Sequence, residues 1–410
     1  MERNITAQLN SFYRTGTKLL ISGIRGAGKS YSVLKFASEY SQNCLYINFE
    51  TDAKASAFFD ETDCSSLSEA VSAYYGIEPD VILGIFFIFD EIWASKGFIR
   101  LFNALDGSES IVFAAITSRR LKEANKRISV LNMYPMEFDE YLRAVGREWY
   151  IEVIEGHFAK EKALPQIIHN ELLDLYEEYL RIGGMPAAVI ESINDETGSN
   201  IESVQMNTSK AIYRSCRSLF EAEESPLIEQ RADEILYSMP KQIYEGRKRF
   251  TFSCIRKGLT YNDFEPAIDN LRDRFALIVQ NRMGEDKEGF RLYPADQGLM
   301  NYMIRSSLKY DESCISDVLL YSSILKSLTQ KYGNVEYWES SNSAHMDFVV
   351  HRRDGELLPI FINTSGTSRS KSPAIFMEQL PAKEVIMVGN TAFKRVGTIL
   401  QVPVYAVFLL

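Results

Sequence analysis

Three glycines, a lysine and a hydroxyl side chain stand at a characteristic spacing in residues 23–30, Gly-Ile-Arg-Gly-Ala-Gly-Lys-Ser. Glycines let the backbone N–H groups of a loop turn inward around an anion, and the N-terminus of a following helix favours negative charge. In this pattern Lys29 reaches the outer phosphates of a nucleotide, and the hydroxyl of Ser30 takes a coordination position of Mg²⁺. The residues expected to bind the nucleotide are Gly23, Arg25, Gly26, Ala27, Gly28, Lys29, Ser30 and Tyr31. A plain glycine turn is the alternative, but an apolar run precedes the loop and a helical pattern follows it.

Two carboxylates, Asp90 and Glu91, come directly after the apolar run of residues 85–89. The carboxyl end of a buried parallel strand is where open α/β sheets bind their ligands. Asp90 is expected to hold Mg²⁺ through water, and Glu91 to act as the general base that polarises the attacking water. The next predicted strand ends in Thr117-Ser118, where a small polar group can orient that water. Thr117 is the candidate, although Ser and Thr at strand ends are also common turn formers. The sequence therefore predicts hydrolysis of the bound nucleotide as well as its binding.

A sheet must position these residues, and residues 1–150 alternate strand and helix patterns as such a sheet requires. The nearly continuous apolar runs are typical of parallel strands that helices cover on both faces. We therefore expect an α/β fold whose core is a P-loop parallel sheet. Its predicted strands are Lys18–Gly23, Cys44–Phe49, Val81–Phe89, Ile111–Thr117 and Val130–Tyr134, and its predicted helices include Ser30–Tyr40 and Gly97–Leu105.

Three further parts are predicted after this core. Residues 151–225 have helical patterns without a strand signal and would form a helical lid or connector. Residues 226–300 combine helical patterns with two short strands, which suggests a winged-helix-like module. Residues 301–410 return to α/β patterns, with a helix predicted over Ile315–Tyr332. The strands predicted in the last two parts are Phe275–Gln280, Phe290–Tyr293, Glu336–Trp338, Met346–His351, Leu358–Asn363, Glu384–Val388 and Val402–Phe408.

The order of the motifs resembles the AAA+ superfamily of ATPases, and more closely a widespread prokaryotic ATPase family with a C-terminal domain of unknown function. That family's acidic strand commonly continues as Asp-Glu-Ile-Gln, whereas Asp90-Glu91-Ile92-Trp93 lacks the Gln. Two further signatures of the family are matched by residues 134–142, Tyr-Pro-Met-Glu-Phe-Asp-Glu-Tyr-Leu, and residues 179–186, Tyr-Leu-Arg-Ile-Gly-Gly-Met-Pro. The resemblance covers about the first half of the chain, and it implies Mg²⁺-dependent hydrolysis of ATP.

The same resemblance implies an arginine shortly before the proline of residues 134–142, and Arg127 stands there. In AAA+ relatives an arginine from this region can reach the phosphate of a neighbouring subunit, so Arg127 is the candidate arginine finger. Arg119 and Arg120 are rivals for this role, and an exposed arginine at a helix end is an equally weighted alternative. The resemblance also allows the protein to form an oligomer.

The C-terminal residues 301–410 resemble the restriction-endonuclease-like fold that relatives carry in this position. In that fold an Asp and a Glu-x-Lys on adjacent strands bind metal and position water for phosphodiester cleavage. Asp347 matches the first acid, but Phe361 and Asn363 stand where the Glu and the Lys are expected, and Tyr321 stands in place of an upstream glutamate. A lone carboxylate is a poor basis for a catalytic metal site, so we expect an inactive domain without nuclease activity.

Composition narrows the class of protein further. The 410 residues carry a net charge of −10, which argues against nonspecific adhesion to nucleic acid or anionic lipid. The five cysteines lie far apart and form no pair with metal-ligand spacing, as in a reduced cytoplasmic protein. The most apolar run, Val81–Phe89, is far too short to span a bilayer, and the start of the sequence has no secretory apolar core. We therefore expect a cytoplasmic protein that does not associate with membranes.

Three functions remain open at this point. The first is an ATP-hydrolysing switch, in which the nucleotide state moves the connector and the C-terminal domains. The second is a DNA-associated ATPase with the winged helix and nuclease-like fold as its platform; basic residues within 241–260 favour it, but acids in the predicted recognition helix Asp263–Arg274 disfavour it. The third is a nucleotide-sensing interaction protein that hydrolyses little. We expect ATP and an unidentified protein as partners, with DNA less favoured.

Overall fold

A computed structural model describes residues 3–15, 18–40, 43–105, 111–121, 128–194, 206–207, 210, 226–284, 289–307, 309–340, 343–364 and 371–410. The chain forms two compact units. The first comprises residues 2–134 with 273–275, and the second comprises essentially residues 135–272 and 276–410. The finer division into four parts at residues 150, 225 and 300 stays a prediction.

The first unit is built on a five-stranded sheet in which every neighbouring pair of strands is parallel. Its elements are α1 (Ile5–Thr15), β1 (Leu19–Ser22), α2 (Lys29–Tyr40), β2 (Cys44–Asn48), α3 (Ala53–Glu61), α4 (Leu67–Tyr75), α5 (Pro79–Ile82), β3 (Phe86–Asp90), the 3₁₀ turn Ile92–Ala94, α6 (Lys96–Ala104), β4 (Val112–Thr117) and β5 (Ser129–Asn132). The strand order is β2-β3-β4-β1-β5. All of β3 is buried, with Phe87 and Phe89 in the core on one face of the sheet and Ile88 in the core on the other.

This sheet confirms the predicted α/β core, with one error in the predicted strands. The strand predicted over Val81–Phe89 is wrong in its first half, because residues 79–82 form the short helix α5. A proline at the start of α5 favours a helical first turn, and the N–H of Gly84 then donates to the carbonyl of Val81 (3.2 Å) to close a turn. Only the apolar residues after this turn pair with their neighbours as β3.

The second unit has a helical first part followed by two sheets. Its elements are α7 (Phe138–Ala144), α8 (Trp149–Ala159), α9 (Gln166–Ile182), α10 (Pro186–Asn194), α11 (Pro226–Tyr244), the 3₁₀ turn Phe252–Cys254, α12 (Tyr261–Asp273), β6 (Leu277–Asn281), β7 (Phe290–Pro294), α13 (Gln297–Ser307), α14 (Glu312–Tyr332), β8 (Val335–Glu339), β9 (His345–His351), β10 (Leu357–Ile362), α15 (Ser372–Gln379), β11 (Val385–Gly389), β12 (Lys394–Val396), β13 (Ile399–Pro403) and the 3₁₀ helix Val404–Leu409. Strands β6 and β7 form an antiparallel hairpin. The larger sheet has the order β12-β13-β11-β10-β9-β8.

The end of the chain departs from its predicted structure. The strand predicted over Val402–Phe408 is wrong, because pairing ends at Pro403 and residues 404–409 turn into a 3₁₀ helix. That helix packs its apolar residues against α9 and α14 instead of extending the sheet. The helical pattern predicted beyond Phe158 is present in α9 and α10, while most of residues 195–221 lie outside the described part. Within the described residues, we find no helix with the length and apolar character needed to cross a membrane.

Candidate functional site

The predicted phosphate loop joins β1 to α2 through residues 23–28. Gly26 and Gly28 have φ angles of 83° and 92°, in the left-handed region that glycine adopts at little cost. At Gly23 a Cβ atom would lie 2.0 Å from the carbonyl oxygen of Met133, so only glycine allows the chain after β5 to approach the end of β1 this closely. The N–H of Met133 also donates to the carbonyl of Ser22 (2.7 Å). The loop is therefore held in a shape that other residues could not maintain.

Lys29 is the first residue of α2, and its side chain folds back into the loop. Its Nζ donates hydrogen bonds to the carbonyl oxygens of Gly23 (2.8 Å) and Ile24 (3.0 Å). Only 4% of Lys29 is exposed. The ammonium group thus lies inside the loop, where it would meet the outer phosphates of a nucleotide.

Ser30 and Asp90 lie in contact, although sixty residues of sequence separate them. The carboxylate of Asp90 accepts hydrogen bonds from the Ser30 hydroxyl, from the hydroxyl of Tyr46 (2.7 Å) and from the backbone N–H of Glu91 (2.9 Å). Burial raises the pKa of Asp90, and the hydrogen bonds from Ser30 and Tyr46 oppose that rise. A hydroxyl and a carboxylate in contact are the hard oxygen donors that Mg²⁺ prefers, so these residues fit the predicted metal.

Tyr46, on β2, is a member of this group that the sequence analysis missed. Partial burial raises the pKa of Tyr46 to about 12, so its hydroxyl keeps its proton and remains a donor to Asp90 at neutral pH. The position of Tyr46 near Asp90 follows from the strand order of the sheet. Strand β2 pairs with β3, and Asn48 is the register partner of Asp90. That order cannot be read from the residues of β2 alone.

Glu91 has a left-handed backbone with φ at 48°, which is uncommon for a residue with a side chain. Its carboxylate is buried and turned toward the end of β4. One oxygen, Oε2, accepts hydrogen bonds from Trp93 Nε1 (2.7 Å), Ser118 Oγ (2.7 Å) and Ser118 N (3.0 Å). The structure therefore brings Glu91 together with Ser118, the neighbour of the predicted Thr117, and with Trp93, to which the sequence analysis gave no role at the site.

Thr117, the residue predicted to orient water, has its hydroxyl in a turn. Its Oγ1 donates to the carbonyl of Arg119 (2.7 Å) and accepts from the N–H of the same residue (3.1 Å). The guanidinium of Arg119 lies 4.8 Å from the centroid of the Trp93 ring, in a cation–π contact. The turn thus places Ser118 against Glu91 and Arg119 over Trp93.

Arg25 and Tyr31, two further predicted residues, have more exposed positions. Arg25 forms an ion pair with Glu50, and Tyr31 is 58% exposed on α2. Arg127, the candidate arginine finger, lies outside the described residues.

Arg3 also supports the loop, and the sequence analysis gave no sign of it. Its buried guanidinium donates to the carbonyl of Ala27 (2.6 Å) and to the carbonyl of Tyr134 (2.8 Å). These contacts join the loop to the chain beyond β5. An arginine so far from the loop in sequence has no local pattern that would reveal such a role.

Two family models match parts of the chain. Residues 16–142 match the model of an AAA domain. The first unit has the fold of a P-loop ATPase. Residues 173–310 match the model of a domain of unknown function, and these residues follow the P-loop ATPase domain.

Two solved structures that are described as ATPases have some likeness to this chain. A Walker-type ATPase of Pyrococcus abyssi is 16% identical, with 73% of this chain and 94% of that chain covered and a TM-score of 0.46. A signal-transduction ATPase with numerous domains and a tetratricopeptide-repeat sensor, from Pyrococcus horikoshii, is 12% identical, with 80% of this chain and 45% of that chain covered and a TM-score of 0.29. No curated protein is similar to the chain at a significant level. The family match therefore carries the assignment of the P-loop ATPase domain.

The two other motifs of the sequence analysis pack on each other inside the second unit. The N–H of Met136 donates to the carbonyl of Gly184 (2.6 Å), and the Met136 carbonyl accepts from the Tyr179 hydroxyl (2.8 Å) and Lys326 Nζ (2.8 Å). A Cβ at Gly184 would lie 2.3 Å from that carbonyl oxygen, and one at Gly183 would lie 2.4 Å from Asp296 Oδ1. The paired glycines are thus required by close contact.

The C-terminal sheet holds Asp347, the remaining acid of the nuclease-like pattern. Its Oδ2 accepts from the N–H of Ile362 (2.8 Å), and burial raises its pKa. Phe361 is buried in an apolar cluster, and Asn363 Nδ2 lies 3.7 Å from Met387 Sδ. Across the described residues we find no group of three His, Cys, Asp or Glu side chains that could hold a metal ion. Phe361 offers no metal ligand and Asn363 offers no cation, and an inactive nuclease-like domain stays a prediction.

Proposed function

We propose that the chain binds ATP with Mg²⁺ at the phosphate loop and hydrolyses it. The contact between Ser30 and Asp90 carries this proposal, because it joins the start of α2 to the carboxyl end of β3 beside the loop that holds Lys29. Ser30 and Asp90 would hold the metal ion, the hydroxyl directly and the carboxylate through water. Bound Mg²⁺ would neutralise charge on the β- and γ-phosphates, and Lys29 would add to that neutralisation.

Glu91 is the general base in this proposal. The oxygen of a water molecule forms a bond to the γ-phosphorus while the bond to the β–γ bridging oxygen breaks, and ADP leaves with that electron pair. The proton that the water loses passes to the carboxylate of Glu91. We keep Thr117 as a candidate for orienting this water and Arg127 as the candidate arginine finger of a neighbouring subunit in an oligomer.

Hydrolysis would drive a conformational switch. Strand β1 leads directly into the phosphate loop and pairs with β5, after which the chain continues to Met136. Met136 is held by Gly184, Tyr179 and Lys326 in the second unit. A change in the loop on nucleotide turnover would thus be carried along a short stretch of chain to a fixed point in the second unit.

We further propose a structural assignment for each part of the chain that follows the core. Residues 151–225 would form a helical lid or connector, residues 226–300 a winged-helix-like module and residues 301–410 an inactive endonuclease-like domain. The hairpin of β6 and β7 after α11 and α12 supports the second assignment. The lone carboxylate that Asp347 contributes to the nuclease-like pattern supports the third, since one carboxylate cannot replace a metal-binding pair.

Phosphate release from ATP by the purified full chain tests the proposed function. Lys29→Ala should weaken ATP binding by at least about ten-fold, since it removes a cation from the phosphates. Glu91→Gln should keep ATP affinity and slow hydrolysis by about a hundred-fold or more. Chelation of Mg²⁺ should stop hydrolysis. The matched control for Lys29→Ala is Lys35→Ala, which changes an exposed lysine on the same helix α2. Turnover that survives in both site variants would contradict the proposal, and native turnover near zero would favour the sensing protein.

DNA association is a second candidate because Arg247, Lys248, Arg249, Arg256 and Lys257 are all exposed. Two observations weaken it. Asp263 and Asp269 are exposed on α12, the helix expected to enter a groove. The β6–β7 hairpin is engaged within its own unit, since Gln280 Nε2 donates to the Asp347 carbonyl (2.7 Å) and Met283 N to the Tyr337 carbonyl (2.8 Å). Duplex DNA binding that weakens steeply with salt and is lost on replacing Arg247 and Arg249 with Glu would support it.

A protein partner and a cytoplasmic location complete the proposal. Cys44, Cys64, Cys254 and Cys314 are free thiols, which suits a reducing compartment. Capture from native extract on the full-length Glu91→Gln chain loaded with ATP, with the Lys29→Ala chain as the matched control, would identify proteins that bind the ATP state. Proteins retained equally by both variants would count against an ATP-dependent partner.

A further inference from the structure

The carboxylate of Glu91 is held through one of its two oxygens. Oε2 accepts from the indole N–H of Trp93, from the hydroxyl of Ser118 and from the backbone N–H of Ser118. We propose that Trp93 and Ser118 are positioning residues, which fix this carboxylate so that Oε1 receives the proton of the attacking water. The inference rests on the proposed ATPase function and names the residues that make its general base effective.

The chemistry of the donors favours this arrangement. An indole nitrogen and a backbone nitrogen can only donate, so both contacts require Oε2 to act as an acceptor without a proton. With three donors Oε2 has little capacity left for a further proton. No described residue donates a hydrogen bond to Oε1, so Oε1 is the oxygen that can receive one. Glu91 is 7% exposed and Ser118 is fully buried, so water does not compete for the two hydrogen bonds from Ser118.

Backbone geometry makes the same arrangement possible. Glu91 adopts its left-handed conformation between the end of β3 and the 3₁₀ turn that contains Trp93. Such a backbone is kept in a folded protein where the surrounding contacts determine it, and it is frequent at functional sites. Here it turns the side chain of Glu91 toward the end of β4, the strand that pairs with β3.

Trp93 is itself held in place. The guanidinium of Arg119 lies over its ring, and the backbone of Arg119 is fixed by the Thr117 hydroxyl. Residues 117–119 at the end of β4 thus support Glu91 twice, directly through Ser118 and indirectly through the contact of Arg119 with Trp93.

Steady-state ATP hydrolysis by the full-length chain tests the inference. Trp93→Phe and Ser118→Ala each remove one donor to a carboxylate, and each should lower kcat about ten-fold. The KM for ATP should change by less than about two-fold, because neither residue is placed on the nucleotide. Ser118→Thr keeps the hydroxyl and the backbone N–H and should restore most of kcat. Exposed Trp149→Phe and Ser38→Ala are matched controls in which kcat should not change.

The results of this experiment separate the two proposals. If the native chain hydrolyses ATP while Trp93→Phe and Ser118→Ala match or exceed its kcat, the positioning role is overturned and the ATPase function stands. A native chain that binds ATP without turnover overturns both. Circular dichroism and thermal melting show whether each variant folds, and the two variants lie on different elements, so a folding defect in one leaves the other decisive.

Tryptophan fluorescence gives a second measurement that needs no turnover. The chain has three tryptophans, and Trp149→Phe with Trp338→Phe leaves Trp93 as the single emitter. In that background Glu91→Ala removes the acceptor of the indole N–H and should change the intensity and the maximum of the Trp93 emission without nucleotide. An emission spectrum that Glu91→Ala leaves unchanged would show that the contact is absent and would overturn the inference.

Discussion

The guanidinium of Arg3 donates a 2.6 Å hydrogen bond to the carbonyl oxygen of Ala27, in the middle of the phosphate loop. Its second nitrogen donates to the carbonyl of Tyr134 (2.8 Å). A buried cation with two carbonyl acceptors ties the start of α1, the loop and the end of the β5 segment to one another. The loop therefore depends on a residue that itself carries no part of the phosphate-binding pattern.

Arg3→Ala is expected to weaken both the fold of the first unit and its affinity for ATP. It removes two charge-assisted hydrogen bonds and leaves two buried carbonyl oxygens without this donor, at a cost of about 2 to 4 kcal/mol in the free energy of unfolding. Denaturant unfolding measures that change, and titration calorimetry with ATP should show affinity lower by about ten-fold. Arg14→Ala, an exposed arginine at the end of α1, should alter neither value. Equal ATP affinities for Arg3→Ala and Arg14→Ala would show that Arg3 has no role in shaping the loop.

Gly23→Ala is expected to prevent ATP binding. The new Cβ would lie 2.0 Å from the Met133 carbonyl oxygen, so either the loop or the chain beyond β5 must move. We expect a loss of more than about 3 kcal/mol in the free energy of unfolding, or failure to fold. Gly84→Ala is the matched control, because its Cβ would lie 3.8 Å from the closest backbone atom. If Gly23→Ala melted and bound ATP like Gly84→Ala, the close approach would have no importance for the site.

The parts of the site that the sequence predicted are those that local chemistry determines. The glycines, Lys29 and Ser30 belong to one short pattern, and Asp90 follows an apolar run that could only be a buried strand. The sheet that joins them follows from alternating strand and helix patterns. Contacts between distant elements are different, because Arg3 and Tyr46 reach the site through strand order and side-chain direction, which no local pattern records.

The errors in the predicted strands have a common physical cause. An apolar run shows that residues will be buried but does not show whether a sheet or a helix buries them. Residues 79–82 begin with a proline and form a helical turn, and residues 404–409 follow Pro403 and form a 3₁₀ helix. In both places the proline was a better guide than the hydrophobicity of the run.

Lys326→Met is expected to destabilise the second unit. Lys326 is 1% exposed, and its Nζ donates to the Met136 carbonyl (2.8 Å) and the Tyr179 hydroxyl (2.5 Å). Its charge also opposes the rise that burial causes in the pKa of Asp296. Removing it leaves that carboxyl without its cation and should lower the free energy of unfolding by about 3 kcal/mol. Calorimetric melting checks this, with exposed Lys383→Met as the control, and a variant that melts like this control would contradict the prediction.

Glu137, at the start of α7, should make the stability of the second unit depend on pH. Burial raises the pKa of Glu137 to about 7, and the nearby charges of Asp139 and Glu140 raise it while the Ser327 hydroxyl and Lys326 lower it. In the unfolded chain such a carboxyl titrates near 4.5. Between these two values the unfolded chain loses the proton while the folded chain keeps it, so stability falls as the pH rises from about 4.5 to about 7 and stays lower above.

Glu137→Gln keeps the shape of the protonated side chain and cannot ionise. The variant should therefore not show the fall in stability that the native chain shows as the pH rises. At pH 8 the variant should be more stable than the native chain by up to about 3 kcal/mol, and at pH 4.5 the two should differ little. Melting temperatures of both chains across pH 4.5 to 8 measure the difference, and Glu152→Gln, at an exposed position on α8, should show no such trend. A difference between native and Glu137→Gln that stays constant across this range would mean that Glu137 is ionised in the folded chain throughout, held by Lys326 and the Ser327 hydroxyl against the cost of burial.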